Sequence, residues 1–68
     1  MRVLLNGESC ELRDGATVDD AVEASGAPPE GRGVAVAVDG EVVPRGEWSA
    51  TKLSDGQQIE VLQAVQGG

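Results

Sequence analysis

Few residues in this chain of 68 could do chemistry, and most of those few are set aside by their type. Histidine and tyrosine are both absent, which removes the commonest general bases and acids. Cys10 is the only thiol. Alone it completes neither a zinc site nor a disulfide, and as a nucleophile it has no partner base. Asp19-Asp20 sets two carboxylates side by side, but adjacent helical residues point about 100° apart and make poor joint ligands. Gly31-Arg32-Gly33 lacks the lysine and the Ser/Thr of a phosphate-binding loop and reads as a flexible turn. Trp48, the one aromatic, is expected in the core rather than as a ligand platform. These exclusions leave no metal site, no catalytic residue and no bound cofactor to expect.

What remains is the ending, Gln66-Gly67-Gly68. Glycine loses the most backbone freedom on ordering, so a glycine pair does little to stabilise the end of a fold. It does allow the backbone through a channel that any Cβ would block. Beyond Val65, three residues reach about 10 Å at roughly 3.3 Å each, and the group delivered is the carboxylate of Gly68. That group is ionised at neutral pH and is a poor electrophile until one oxygen becomes a leaving group. ATP would supply the leaving group by forming an acyl adenylate. A sulfur nucleophile would then give a thiocarboxylate, and an amine an amide. On this reading Gly68 is the point of covalent attachment, with Gly67 and Gln66 as the access to it. The competing reading is a frayed terminus without function.

The elements that must hold this tail are legible from pattern. Val3-Leu4-Leu5 and Ser9 to Arg13 read as strands around Asn6-Gly7, a strong hairpin signal because both turn residues accept positive φ. Alternation places Cys10 and Leu12 on one face. Thr17 can cap a helix whose Val18, Ala21, Val22 and Ser25 share a face, and Gly26 with Pro28-Pro29 ends it. Val34 to Val38 is a strand, Asp39-Gly40 a turn and Glu41 to Val43 a short strand stopped by Pro44. A turn or single helical turn at Arg45 to Trp48 tucks Trp48 under the sheet, and Gln57 to Val65 is the last strand.

One helix over one mixed sheet buries such a helix most simply. The expected class is therefore α+β, a ββαββ β-grasp (ubiquitin-like) arrangement with the helix on one face and the first and last strands parallel. A single domain over residues 1–65 would carry a tail at 66–68. On the face away from the helix, Leu4, Ala35, Ala37, Leu62 and Ala64 are expected to form a small apolar surface for partner docking.

Charge narrows the partners. Twelve acidic residues against five basic give −7, which repels nucleic acid and anionic membranes and suits partners with basic patches. The apolar run Val34 to Val38 is too short to span a bilayer, and Met1 to Leu5 meets Asn6-Gly7-Glu8 before a signal-peptide core can form. A lone thiol without an export signal points to the cytoplasm. The free chain is expected to be a monomer.

Three stretches, Asn6-Gly7-Glu8, "VAVAVDGEVVPRGEW" from Val34 to Trp48 and "LSDGQQIEVLQAVQGG" from Leu53 to Gly68, resemble the ThiS sulfur carriers of thiamine biosynthesis. The resemblance runs over nearly the whole chain. It departs from the family pattern at Asp39, Gly46 and Gln57, where Asn, Ser and Asp are common. It implies a carrier rather than an enzyme. Gly68 would be adenylated by a ubiquitin-activating-type adenylyltransferase using ATP, then converted to a thiocarboxylate by a sulfur donor system. Thiazole synthase would receive the sulfur. Two other readings stand beside it: a carrier like the molybdopterin synthase small subunit, and a ubiquitin-type modifier or binding module, for which Lys52 is the only lysine.

Overall fold

At Asn6-Gly7 the chain reverses with φ of 51° and 83°, the doubly positive pair of a type I′ turn, whose twist matches that of paired strands. The turn joins β1 (Arg2–Leu5) to β2 (Glu8–Glu11) in antiparallel register, from Arg2 opposite Glu11 to Leu5 opposite Glu8. Asp39-Gly40 repeats the device, with φ of 50° and 84°, between β3 (Val34–Val38) and β4 (Glu41–Val42). The computed structural model describes residues 1–28 and 30–64.

Between the hairpins lies α1 (Val18–Ala24), which buries Val18, Ala21 and Val22. At seven residues it is too short to hold alone, so packing must stabilise it. Thr17 occupies the N-cap. The Asp20 carboxylate reaches back to accept the Thr17 backbone N–H (2.8 Å) and the Arg13 guanidinium (3.0 Å). Ser25 packs inward only in part: its hydroxyl donates to the Val22 carbonyl (2.6 Å), and Gly26, at φ 83°, stops the helix.

The Thr17 N–H first, then the charge of Arg13, hold the Asp20 carboxyl below its ordinary value. A depressed carboxylate stabilises the fold above its unfolded pKa and loses that contribution as pH falls through the folded one. Asp20→Asn is therefore expected to be less stable than the parent at neutral pH, the gap closing below about pH 4. Thermal midpoints of both chains across that range check this.

The last strand in chain order, β5 (Gln58–Gln63), is the middle strand of the sheet, whose order is β2-β1-β5-β3-β4. It runs parallel to β1, with Leu5 opposite Ile59, and antiparallel to β3, with Val36 opposite Val61. The α+β β-grasp architecture is thus the one expected, with β4 as the short strand. Expected and observed strand limits differ locally. Gln57 belongs to the preceding turn, because its N–H donates to the Ser54 carbonyl (3.2 Å) and its side-chain oxygen accepts the Ser54 N–H (2.7 Å). β2 begins at Glu8 and ends at Glu11, two residues before Arg13, although the Leu12 N–H still reaches the Met1 carbonyl (2.8 Å). Beyond Gln63, the Ala64 N–H donates to the Gly33 carbonyl (2.7 Å), while Val65 lies outside the described residues.

Both turn side chains also grip β5. After β1 turns away, the Asn6 side chain takes its place beside Val61, accepting the N–H at Oδ1 (2.8 Å) and donating Nδ2 to the carbonyl (3.2 Å). Asp39 accepts the Gln58 N–H (3.0 Å) and the Gln57 amide (3.2 Å).

The core gathers Val3 and Leu5 from β1, the three buried α1 residues, Val36, Trp48, Leu53, Ile59 and Val61. Cys10 and Leu12 are half-buried against it. Trp48 follows a 3-10 turn at Arg45–Glu47, and its indole N–H donates to the Val43 carbonyl (2.9 Å). The expected turn at Gly31-Arg32-Gly33 is present, the Val34 N–H donating to the Gly31 carbonyl (3.1 Å), but its first residue is packed rather than free. Gly31 is buried at φ 71°, and a Cβ there would lie 2.7 Å from Trp48 Cζ3, so the backbone packs on the ring. Among the described residues, no helix is long and apolar enough to cross a membrane.

Candidate functional site

The structure describes the sheet whose middle strand precedes the final residues in sequence. Gln66, Gly67 and Gly68 lie outside the described residues, as does the final residue expected for the last strand, Val65. β5 leads to them, flanked on one side by β1 and on the other by β3.

Four of the five residues expected on the open face, Leu4, Ala35, Ala37 and Leu62, are placed there by strand register, while Ala64 follows the end of β5. Register places Ala35 opposite Leu62 and Ala37 opposite Glu60 across β3 and β5, and Leu4 opposite Gln58 across β1 and β5. Leu62 is 64% exposed and Leu4 39%; Ala35 and Ala64 are exposed and Ala37 half-buried. Leu4 and Leu62 line one shallow groove of ≈ 380 Å³, with Asn6, Gln58 and Glu60 between and around them. The surface is therefore apolar at two ends and polar in the middle.

Val42 belongs to this surface and was missed in sequence. It is 76% exposed and pairs with Ala37, which carries the apolar strip to the β4 edge. The signal was available, since a two-residue Asp39-Gly40 turn fixes Val38 opposite Glu41 and hence Ala37 opposite Val42. Asp19 is exposed, and Asp20 is turned to Thr17 and Arg13, so the acidic pair serves the helix end. Among the described residues, no three Cys, Asp or Glu side chains gather as a metal set.

A mixed sheet with one helix and a last strand running into a diglycine ending can be set beside known proteins. The profile of the ThiS family matches residues 3–68. The chain belongs to the ThiS family. Within it, the chain is 31% identical over 68 residues to the protein of Escherichia coli (strain K12) named sulfur carrier protein ThiS, covering all of both chains. The crystal structure of the thiamine biosynthesis protein ThiS from Geobacter metallireducens superposes with a TM-score of 0.79 at 27% identity, again over all of both chains. A solution structure of a thiamine biosynthesis protein from the same organism gives 0.80 at 27% identity, covering this whole chain and 88% of that one. The resemblance drawn from Asn6-Gly7-Glu8, Val34 to Trp48 and Leu53 to Gly68 thus holds for the ThiS family as a whole. None of these relatives is named as a catalyst.

Proposed function

We propose that this chain is a sulfur carrier protein of thiamine biosynthesis and not itself a catalyst. The observation that carries the reading is the ThiS match, which runs through residue 68 and spans the whole length of the Escherichia coli sulfur carrier. In this reading the Gly68 carboxylate attacks the α-phosphorus of ATP on an adenylyltransferase, forming the acyl adenylate and releasing pyrophosphate. A sulfide-level nucleophile from the sulfur donor system then attacks the acyl carbon and expels AMP, leaving a thiocarboxylate. Thiazole synthase takes the sulfur into the thiazole ring, and the carboxylate returns. Gly67 and Gln66 give the reacting carbon access to each active site. The chain supplies no base, metal or cofactor to these steps.

Docking falls to the open face, where Leu4, Ala35, Ala37, Leu62 and Ala64, extended by Val42, stand beside the strand that feeds the tail. The net charge of −7 favours partner surfaces with basic rims. Leu62→Asp is expected to leave stability within about 0.5 kcal/mol, because Leu62 is exposed. It should weaken binding to the adenylyltransferase or thiazole synthase about tenfold or more. Calorimetric titration reads both affinities, and two unchanged values would remove Leu62 from the docking surface.

Intact-mass analysis of the protein from its native host tests the chemistry. A species heavier by the difference between sulfur and oxygen is expected, and it should vanish when Gly68 is deleted. Finding only the free acid, or conjugates to lysine, would sink the carrier reading. A deletion strain is expected to require thiazole; growth without it would move the chain to another sulfur-transfer pathway.

A further inference from the structure

Asn6 is the only asparagine in the chain, and glycine follows it. That dipeptide is chemically labile, because a glycine nitrogen with no neighbouring Cβ approaches the preceding side-chain carbonyl unhindered. We propose that Asn6 is a deamidation site closed by the native hydrogen bonds to Val61, and that its conversion disconnects the Asn6 turn from β5.

The reaction needs water and no enzyme or oxidant. A bond forms between the Gly7 backbone nitrogen and Asn6 Cγ; the nitrogen loses its proton to solvent, and Nδ2 departs as ammonia. Water then opens the resulting five-membered imide. Addition at Cγ yields aspartate, and addition at the main-chain carbonyl yields isoaspartate, whose backbone runs through the side-chain carbons. In net, amide and water become carboxylate and ammonium.

Burial does not prevent this step, since Asn6 and Gly7 are both exposed. The protection is positional. Both polar atoms of the Asn6 side chain are engaged with Val61, at 2.8 and 3.2 Å, and the Asn6 N–H donates to the Ile59 carbonyl at 2.9 Å. Swinging Cγ towards the Gly7 nitrogen breaks both side-chain bonds, and pairing of Leu5 with Glu8 holds the turn on either side. Opening of β1 from β5 releases the three bonds from Asn6 to Ile59 and Val61 together, leaving only the β1–β2 pairing at Leu5 and Glu8.

Conversion damages the contact it escaped from. Aspartate keeps an acceptor for the Val61 N–H but puts a carboxylate oxygen where Nδ2 faced the Val61 carbonyl, so two acceptors oppose each other. Isoaspartate adds a backbone carbon inside a two-residue turn, so the Leu5–Glu8 register and the Val61 contact no longer fit together.

The test incubates the chain at neutral pH for equal times with and without guanidinium chloride, and peptide mapping measures aspartate plus isoaspartate at position 6. The denatured chain is expected to convert about tenfold faster or more, because the native chain opens only a small fraction of the time. Equal rates overturn the proposal. Deamidated chain, separated by its added negative charge, should then refold with a lower denaturant midpoint than intact chain from the same sample. Equal midpoints also overturn it. Asn6→Gly, which keeps the turn without the amide, should show no further decline in refolding after the same incubation. A decline matching that of the parent counts against the proposal; should this variant not fold, the separated chains decide.

Discussion

Trp48→Ala is expected to remove a large part of the chain's stability, lowering its denaturant midpoint more than any other single truncation in the core. Trp48 is 3% exposed and is the only aromatic residue in a core otherwise built of Val, Leu, Ile and Ala. Truncating a buried tryptophan to alanine costs about 3–5 kcal/mol. At about 0.05–0.15 kcal/mol per residue, a chain of this length has only about 3–10 kcal/mol in all. No disulfide offsets the loss, Cys10 being the only cysteine. The damage also spreads, because Gly31 packs on the ring and the Val43 carbonyl loses the indole N–H. Trp48→Phe keeps a ring but not the donor, and is expected to fold with a loss of about 1–3 kcal/mol. Denaturant titration followed by circular dichroism measures both, and a cooperative transition in Trp48→Ala at the parent midpoint would show that the aliphatic core suffices.

The second large effect concerns function with the fold intact. Under the proposed chemistry, deleting Gly68 abolishes thiocarboxylate formation by displacing the only carboxylate that reaches the adenylyltransferase. Gly67→Val keeps the terminal carboxylate but puts a branched side chain beside it. A reacting group displaced by about 1 Å costs on the order of 100-fold in rate, so adenylation should fall by at least that factor. The core described above draws on residues from Val3 to Val61, so both variants are expected to retain the parent unfolding midpoint. Pyrophosphate release in the presence of the adenylyltransferase gives the rate. A Gly67→Val rate within threefold of the parent would show that the path to the active site is wide, and that glycine at 67 has another reason.

Much of the positioning scaffold could be read from local rules. Asn6-Gly7 and Asp39-Gly40 mark their turns because few other pairs accept two positive φ angles, and Gly26 ends the helix on the same ground. The open face followed from the two-residue period of the strands. What escaped reading depends on contacts between distant parts of the chain. Asn6 looks like a turn residue, and nothing in its neighbourhood announces that its amide will bind Val61, 55 residues away. Gly31 sits in a polar stretch, and its burial arises only once Trp48 is folded over it. The groove joining Leu4 to Leu62 requires the parallel register of β1 and β5, which alternation leaves open.

The central placement of β5 has a consequence for how the molecule is made. A chain that stops short of Gln58 is not a sheet lacking its edge. It is two separate hairpins, β1–β2 and β3–β4, with a gap where the middle strand belongs. Neither hairpin has a partner sheet to bury its apolar side, and isolated hairpins are marginal in water. Assembly must therefore wait for a strand whose contacts reach back across almost the whole sequence, which makes folding all-or-none and slower than local pairing. The residues that complete the sheet are thus the ones that lead in sequence to Gly67-Gly68, and under the proposed function an unfinished chain would offer a partner neither the open face nor the terminal carboxylate.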